Sequence, residues 1–219
     1  MLTFESIRNN EDVNTYITKA DESLCAMGYT EHSFAHVTRT AEDAGYILKM
    51  LDYPQHDVEL AKVSGYLHDI GNLVSREDHA LTGAIIAFRI LENLGVEASD
   101  IATITSAIGN HDEGTGFPVN PVSAALILAD KSDVRRSRVR NTEISSFDIH
   151  DRVNYSVKKS VLKLNEERTL IKLKLTVDTK YGSVMDYFEI FLGRMIMCRK
   201  AAERLNLEFK LILNEQQLI

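Results

Sequence analysis

Over the first two thirds of the chain, apolar residues recur at steps of three and four, the spacing that lines one face of an α-helix. Val13, Ile17, Ala20, Leu24 and Met27 make one such stripe; Val37, Ala41, Ala44, Leu48 and Leu51 make a second, over a helix at about 34–51. Tyr53-Pro54 ends that helix, because proline disfavours helical geometry in the residue before it. Asp57 is expected to cap a helix through Val58, Ala61 and Leu67, which Gly71-Asn72 terminates. Asp78 opens another with Ala80, Ala84, Ala87, Leu91 and Leu94, and Ser99 caps one with Ile101, Ile104 and Ile108. After the glycine-rich loop GNHDEGTGFPVNP comes a helix with Val122, Ala125, Leu126 and Ala129. Six or more helices joined by short loops predict an all-α core.

The period then changes to two. Ile171, Leu173, Leu175 and Val177 alternate with Lys172, Lys174 and Thr176, which is strand spacing, with 161–164 as the partner strand across Asn165-Glu166-Glu167-Arg168. A helix over 186–205 carries Phe188, Phe191, Met195, Cys198, Ala202 and Leu205 on one stripe, and Leu207, Phe209, Leu211 and Leu213 alternate again. The expected fold is mainly α, with a helical bundle over 1–151 and a small C-terminal α+β appendage of three strands and a long helix over 152–219. The strand at 207–213 would present an open edge, so the appendage is an expected route to a homo-oligomer.

Composition narrows the class of partner. Hydrophobic residues at 44% and charged residues at 26% are ordinary globular usage and exclude a disordered chain. A net charge of −7 argues against general nucleic-acid binding, which requires phosphate neutralisation. No apolar run approaches the roughly 18 residues of a membrane span, so no membrane partner is expected. Cys25 and Cys198 are too few for a disulfide framework and lack metal-type spacing, which suits a reducing cytoplasm.

The informative residues are histidines beside carboxylates. Four His-Asp dipeptides occur, so context must separate them. His56-Asp57 follows a proline turn and His150-Asp151 opens a polar stretch, and both read as solvated helix starts. His68-Asp69 instead closes the apolar segment VSGYLHDIGN, where a buried carboxylate is costly without a cation or a full set of donors. His36, His79, His111 and Asp130 sit in similar apolar helical settings. Four His and two Asp on five helices suit two metals in a bundle core, because facing helices can direct ligands to one point.

The order His36, His68-Asp69, Asp130, with the segments HDIGN and ADKSD, resembles the HD-domain superfamily of metal-dependent phosphohydrolases. His79 in HALTGA and His111 in NHDEGTGFP resemble its binuclear subset, the HD-GYP-type phosphodiesterases and the bacterial HD-type diadenosine-tetraphosphate hydrolases. The resemblance covers roughly 30–140. It implies an HD helical bundle in which His36, His68, Asp69 and Asp130 are core ligands and His79 and His111 complete a second site. The chain departs from the HD-GYP pattern at Asn72, where a lysine is usual, at Gly116-Phe117-Pro118 in place of GYP, and at His111-Asp112-Glu113, which lacks a second His. His32 stands where three-metal members carry a Glu.

Imidazole and carboxylate ligands without thiolate suit Fe, Mn, Co, Ni or Zn better than Ca or Mg. Two such ions about 3.5–4 Å apart would lower the pKa of a shared water and clamp a phosphate, with His68 and Asp69 at the catalytic centre and Asp69 as the bridge. Lys131, Asp133, Arg135 and Arg136 follow Asp130 directly and are candidates to meet the anionic part of a substrate, as are Arg39 and His32, one turn either side of His36. There is no GxSxG elbow, P-loop or GxGxxG. The expected protein is a cytoplasmic phosphohydrolase that uses metal-activated water on a phosphate ester or anhydride in a nucleotide, dinucleotide or similar small metabolite. The alternatives are a non-catalytic metal-containing ligand-binding or signalling module, which would bind without turnover, and a di-iron oxygenase, which would consume oxygen.

Overall fold

A computed structural model describes residues 2–218 of the chain. Asparagine and hydroxyl side chains start several of the helices by accepting an N–H that the first turn leaves unpaired. Thr3 starts α1 (Phe4–Arg8), Asn10 starts α2 (Glu11–Ala26), and Ser33 starts α3 (Phe34–Met50). Two expected caps are displaced. α4 (Gln55–Leu67) follows Pro54, and Asp57 lies inside its first turn, where its charge meets the positive end of the helix dipole. Asp78 does precede α5 (His79–Asn93), but with φ 57° and no side-chain cap. α6 (Ala98–Gly109) follows Glu97, which leaves Ser99 within the helix rather than at its cap. Met27, expected on the inner stripe of α2, lies past the helix end and is 51% exposed.

α7 (Pro121–Ser132) is capped by Asn120 and buried from Val122 to Ser132, the mark of a central helix. It packs against α3, α4 and α6. α8 (Ile149–Ser156) runs without a break into β1 (Val157–Leu164), so the expected boundary at 151/152 falls inside one helix.

Among the described residues the sheet has four strands in the order β1-β2-β3-β4, one more than expected. β2 (Leu170–Val177) pairs antiparallel with β1, as in Leu162 with Leu173. α9 (Val184–Arg204) then crosses over to β3 (Glu208–Leu213), which pairs parallel with β2, as in Leu173 with Leu211. β4 (Gln216–Gln217) returns through Asn214 and Glu215, both at positive φ as a two-residue type I′ turn requires. It pairs with Ile212 and Leu213, and Leu218 N–H donates to Leu211 O, so the edge expected to be open is closed over its C-terminal half.

Ile171, Leu173, Leu175, Phe209, Leu211 and Leu213 are buried, and the alternating lysines of β2 face away from them. α9 lies between β3 and α7, with Tyr187, Phe191, Met195, Cys198 and Ala202 buried and Phe188 partly so. One continuous apolar core therefore runs from the helices into the sheet. Among the described residues no helix is long and apolar enough to cross a membrane.

Candidate metal centre

Five helices bring the candidate ligands together. His36 sits in the first turn of α3, His68 caps the C-terminus of α4, and Asp69 leads into a short 3-10 turn, Ile70–Leu73. His79 opens α5, His111 lies just past α6, and Asp130 is near the end of α7. All six are buried. Gly71 permits the approach of α5, since a Cβ there would lie 2.0 Å from His79 O and 2.5 Å from Gly83 N.

Nε2 of His36 and Nε2 of His68 face each other at 3.3 Å. Asp69 Oδ2 is 3.2 Å from His68 Nε2 and 3.5 Å from His36 Nε2, while its other oxygen is 3.7 Å from His79 Nε2. Asp130 Oδ1 is 3.3 Å from His36 Nε2 and 3.6 Å from His68 Nε2. Ligand atoms of His36, His68 and Asp130 lie within 4.8 Å of one another, and so do those of His68, Asp69 and His111.

The other ring nitrogen of each histidine is fixed. Nδ1–H of His68 donates to Gly65 O at 2.8 Å, that of His79 to Arg76 O at 3.1 Å, and that of His111 to Ile108 O at 2.6 Å. His36 donates to Asp133 Oδ2 at 2.8 Å. A carbonyl or carboxylate can only accept, so each neutral ring carries its proton on Nδ1 and turns the Nε2 lone pair inward. Such fixing of tautomer and orientation is what a metal-binding imidazole requires. Two lone pairs facing each other need a cation between them, and the donor set fits a divalent transition metal.

The electrostatics agree. Burial opposes charge on His68, but Asp69 and Asp130 outweigh it and push its pKa up to about 10. Burial, with the charges of His68 and Lys131, brings His111 down to about 3. Burial would raise Asp69 and Asp130, yet the imidazoles beside both, and Lys131 beside Asp130, hold them well below the usual carboxylate range. The centre thus demands positive charge.

The residues expected to meet a substrate are mostly committed to protein partners. Lys131 Nζ bonds Asp130 Oδ2 at 2.8 Å and Glu113 Oε2 at 2.7 Å. Asp133 orients His36 and gathers Arg39 at 3.4 Å and Arg135 at 2.8 Å on its Oδ1. Arg136 leaves the centre altogether: it donates to Tyr155 O and lies over the rings of Tyr155 and Tyr181. His32 is half-buried, its ring centroid 5.5 Å from that of His36, and donates Nδ1–H to Thr30 O. His56 pairs with Asp100 away from the centre, and His150 is exposed.

Sequence reasoning passed over several neighbours. Buried Arg138 donates to Asp133 O and Glu31 O from within the basic run. Asp112, next to His111, places Oδ1 3.9 Å from His79 Nε2. Arg76 reaches Asn72 Oδ1 at 3.3 Å and, with His79, Asp112 and Thr115, lines a cavity of about 260 Å³. Nothing local signals Arg194, whose partner Glu113 is 81 residues away.

The HD domain family matches residues 33–153, over half of the chain, and the chain belongs to that family. The uncharacterized protein MJ1020 of Methanocaldococcus jannaschii is 25% identical over 205 residues, covering 83% of this chain and 78% of its own. A crystal structure described as a predicted HD superfamily hydrolase from an uncultured Thermotogales bacterium is 23% identical, with a TM-score of 0.46, over 57% of this chain and 67% of that one.

Proposed function

We propose that this HD-domain chain is a metal-dependent phosphohydrolase that cleaves a phosphate ester or anhydride in a nucleotide, dinucleotide or similar small metabolite. The observation that carries the reading is the convergence of four Nδ1-locked imidazoles and two carboxylates on one buried point. His36, His68 and Asp130 would hold one divalent transition metal. His79 and His111 would hold a second, with Asp69 shared, since its two oxygens face His68 and His79 respectively. Bound there, the metals supply Lewis acidity toward water and toward phosphate oxygens.

The chain's own groups do the rest. Asp133 and three backbone carbonyls hold the rings in place, and the buried setting strengthens every charge interaction by excluding bulk water. Asn72, at the position where HD-GYP proteins carry a lysine, donates to Asp69 O and Oδ1, so it steadies the carboxylate that would be shared between the metals and brings no charge to a phosphate. Arg76, one turn later at the cavity beside His79, supplies the cation for an incoming phosphate. The departure at Asn72 favours the diadenosine-tetraphosphate-hydrolase side of the binuclear resemblance over the HD-GYP phosphodiesterase side.

The test is metal content and turnover of the parent and Asp69→Ala, with Mn, Fe, Co, Ni or Zn, against a phosphomonoester, a phosphodiester and a dinucleoside polyphosphate. The parent should retain metal and turn over at least one substrate, and Asp69→Ala should lose most of both. Metal binding with no turnover would establish the non-catalytic module instead. Absence of metal binding would overturn the reading.

A further inference from the structure

α9 belongs to the C-terminal unit, yet it reaches the loop at 110–119 that carries His111. Arg194 Nε lies 2.9 Å from Glu113 Oε1, and Arg204 Nη2 donates to Val119 O at 3.3 Å. Between them Met197 closes on Gly116, where a Cβ would fall 2.6 Å from Met197 Cε and 2.3 Å from Asn110 O. The glycine is required by the turn of the loop itself, since that Cβ would also fall 2.4 Å from Asp112 O, and Met197 packs onto the space it leaves.

From Glu113 a chain of ion pairs runs inward. Its other oxygen, Oε2, is 2.7 Å from Lys131 Nζ, which is also 2.8 Å from Asp130 Oδ2. Asp130 Oδ1 faces the Nε2 atoms of His36 and His68. Each carboxylate in the chain has both oxygens engaged, and Lys131, only 5% exposed, stands between the two. The arrangement fixes the plane of the Asp130 carboxylate, with one oxygen toward the imidazoles and the other on Lys131. With Arg194 gone, Glu113 would lean wholly on Lys131 and compete with Asp130 for it.

We propose that Arg194 is a positioning residue of the metal centre, acting through Glu113 and Lys131 to hold the Asp130 carboxylate in the orientation that turns one oxygen toward His36 and His68. The C-terminal unit then completes the site. This rests on the reading of the centre as a metal site.

The test measures metal affinity by chelator competition, and kcat and KM separately, on the full chain. The variants are Arg194→Met, Glu113→Gln, their double, and Arg194→Lys. Each of the first two should weaken metal affinity about tenfold, the lower range for an outer partner of a metal ligand, and lower kcat with little change in KM. The double should be no weaker than either single, because both break one chain. Arg194→Lys should recover part of the loss. Should Arg194→Met fail to fold, Glu113→Gln alone carries the same expectation. A parent that binds no metal would overturn the reading of the centre and this proposal with it. A metal-binding parent whose variants keep its affinity and kcat, or whose losses add in the double, would overturn the positioning role alone.

Discussion

Gly71→Ala should damage the protein out of proportion to one methyl group. The added Cβ would sit 2.0 Å from His79 O, 2.5 Å from Gly83 N and 2.7 Å from Thr82 Oγ1, where ordinary contact begins at 3.4 Å. The carbonyl of His79 must therefore retreat by about 1.4 Å, the difference between 3.4 and 2.0 Å. Two of the three obstacles are backbone, so no side-chain rotation relieves them. Overpacking of this kind costs about 1–3 kcal/mol, and a backbone clash belongs at the upper end. At roughly 2–4 °C per kcal/mol for a chain of this size, about 3 kcal/mol lowers Tm by about 6–12 °C. The displacement also carries His79 away from Asp69 while His36, His68 and Asp130 stay on α3, α4 and α7, so metal content should fall toward one ion per chain. Calorimetry and elemental analysis on one preparation read both effects. Gly193→Ala is the contrast: its Cβ meets no atom within 4 Å, and alanine's better helix propensity, about 0.8–1 kcal/mol, should raise Tm slightly. A Gly71→Ala protein that melts within 2 °C of its parent would refute the steric argument.

Three further outcomes are expected. Asp133→Asn removes the charged acceptor of His36 Nδ1–H and should weaken metal binding about 10–100-fold by titration calorimetry; parental affinity would show that Asp133 serves only the arginines around it. In metal-free protein, His68 binds its proton more tightly folded than unfolded, so its stabilisation is complete below pH 6.5 and is lost as pH rises toward about 10. His111, held neutral when folded, acts oppositely: its stabilisation is present above pH 6.5 and is lost as pH falls toward about 3. Tm measured in chelator should therefore peak near pH 6.5, and a curve still rising at pH 9 would contradict the assignment of His68. Metal must displace the His68 proton, so metal affinity should climb with pH across the same alkaline range, and a flat profile would remove His68 from the ligand set.

Most of the helices were legible in the sequence because their burial is one-sided and their period survives translation into a face. The starts of α4 and α6 were not, because Asp57 and Ser99 are good caps that the chain places inside a first turn instead. The alternating strands were legible too, but not the parallel pairing of β2 with β3, which depends on where α9 carries the chain. At the site, His36, His68, Asp69, His79, His111 and Asp130 stood out because polar residues in apolar helical settings need a reason. Asp133, Arg135 and Arg136 misled, because one basic run divides at the end of α7. Asp133 turns inward to His36, Arg135 follows it, and Arg136 turns outward to Tyr155 and Tyr181. Neither direction is written in the charge pattern. Arg194 was invisible for a plainer reason: only tertiary packing brings it to Glu113.

Two of the imidazole anchors are themselves helix ends. Gly65 lies in the last turn of α4 and Ile108 in the last turn of α6, where carbonyls lack the i+4 donor of a continuing helix; Ile108 O also takes the backbone N–H of His111 at 3.3 Å. His68 and His111 thus act as C-terminal clasps, each gripping its own helix through Nδ1–H while presenting Nε2 to the centre. A cation that draws on Nε2 of His111, neutral without it, makes that ring a stronger Nδ1 donor and so damps fraying of the last turn of α6, whereas at His68 the cation only replaces a proton that already did so. Amide hydrogen exchange at the end of α6, set against that at the end of α4, becomes a gauge of ion occupancy, although no backbone amide needs to touch an ion.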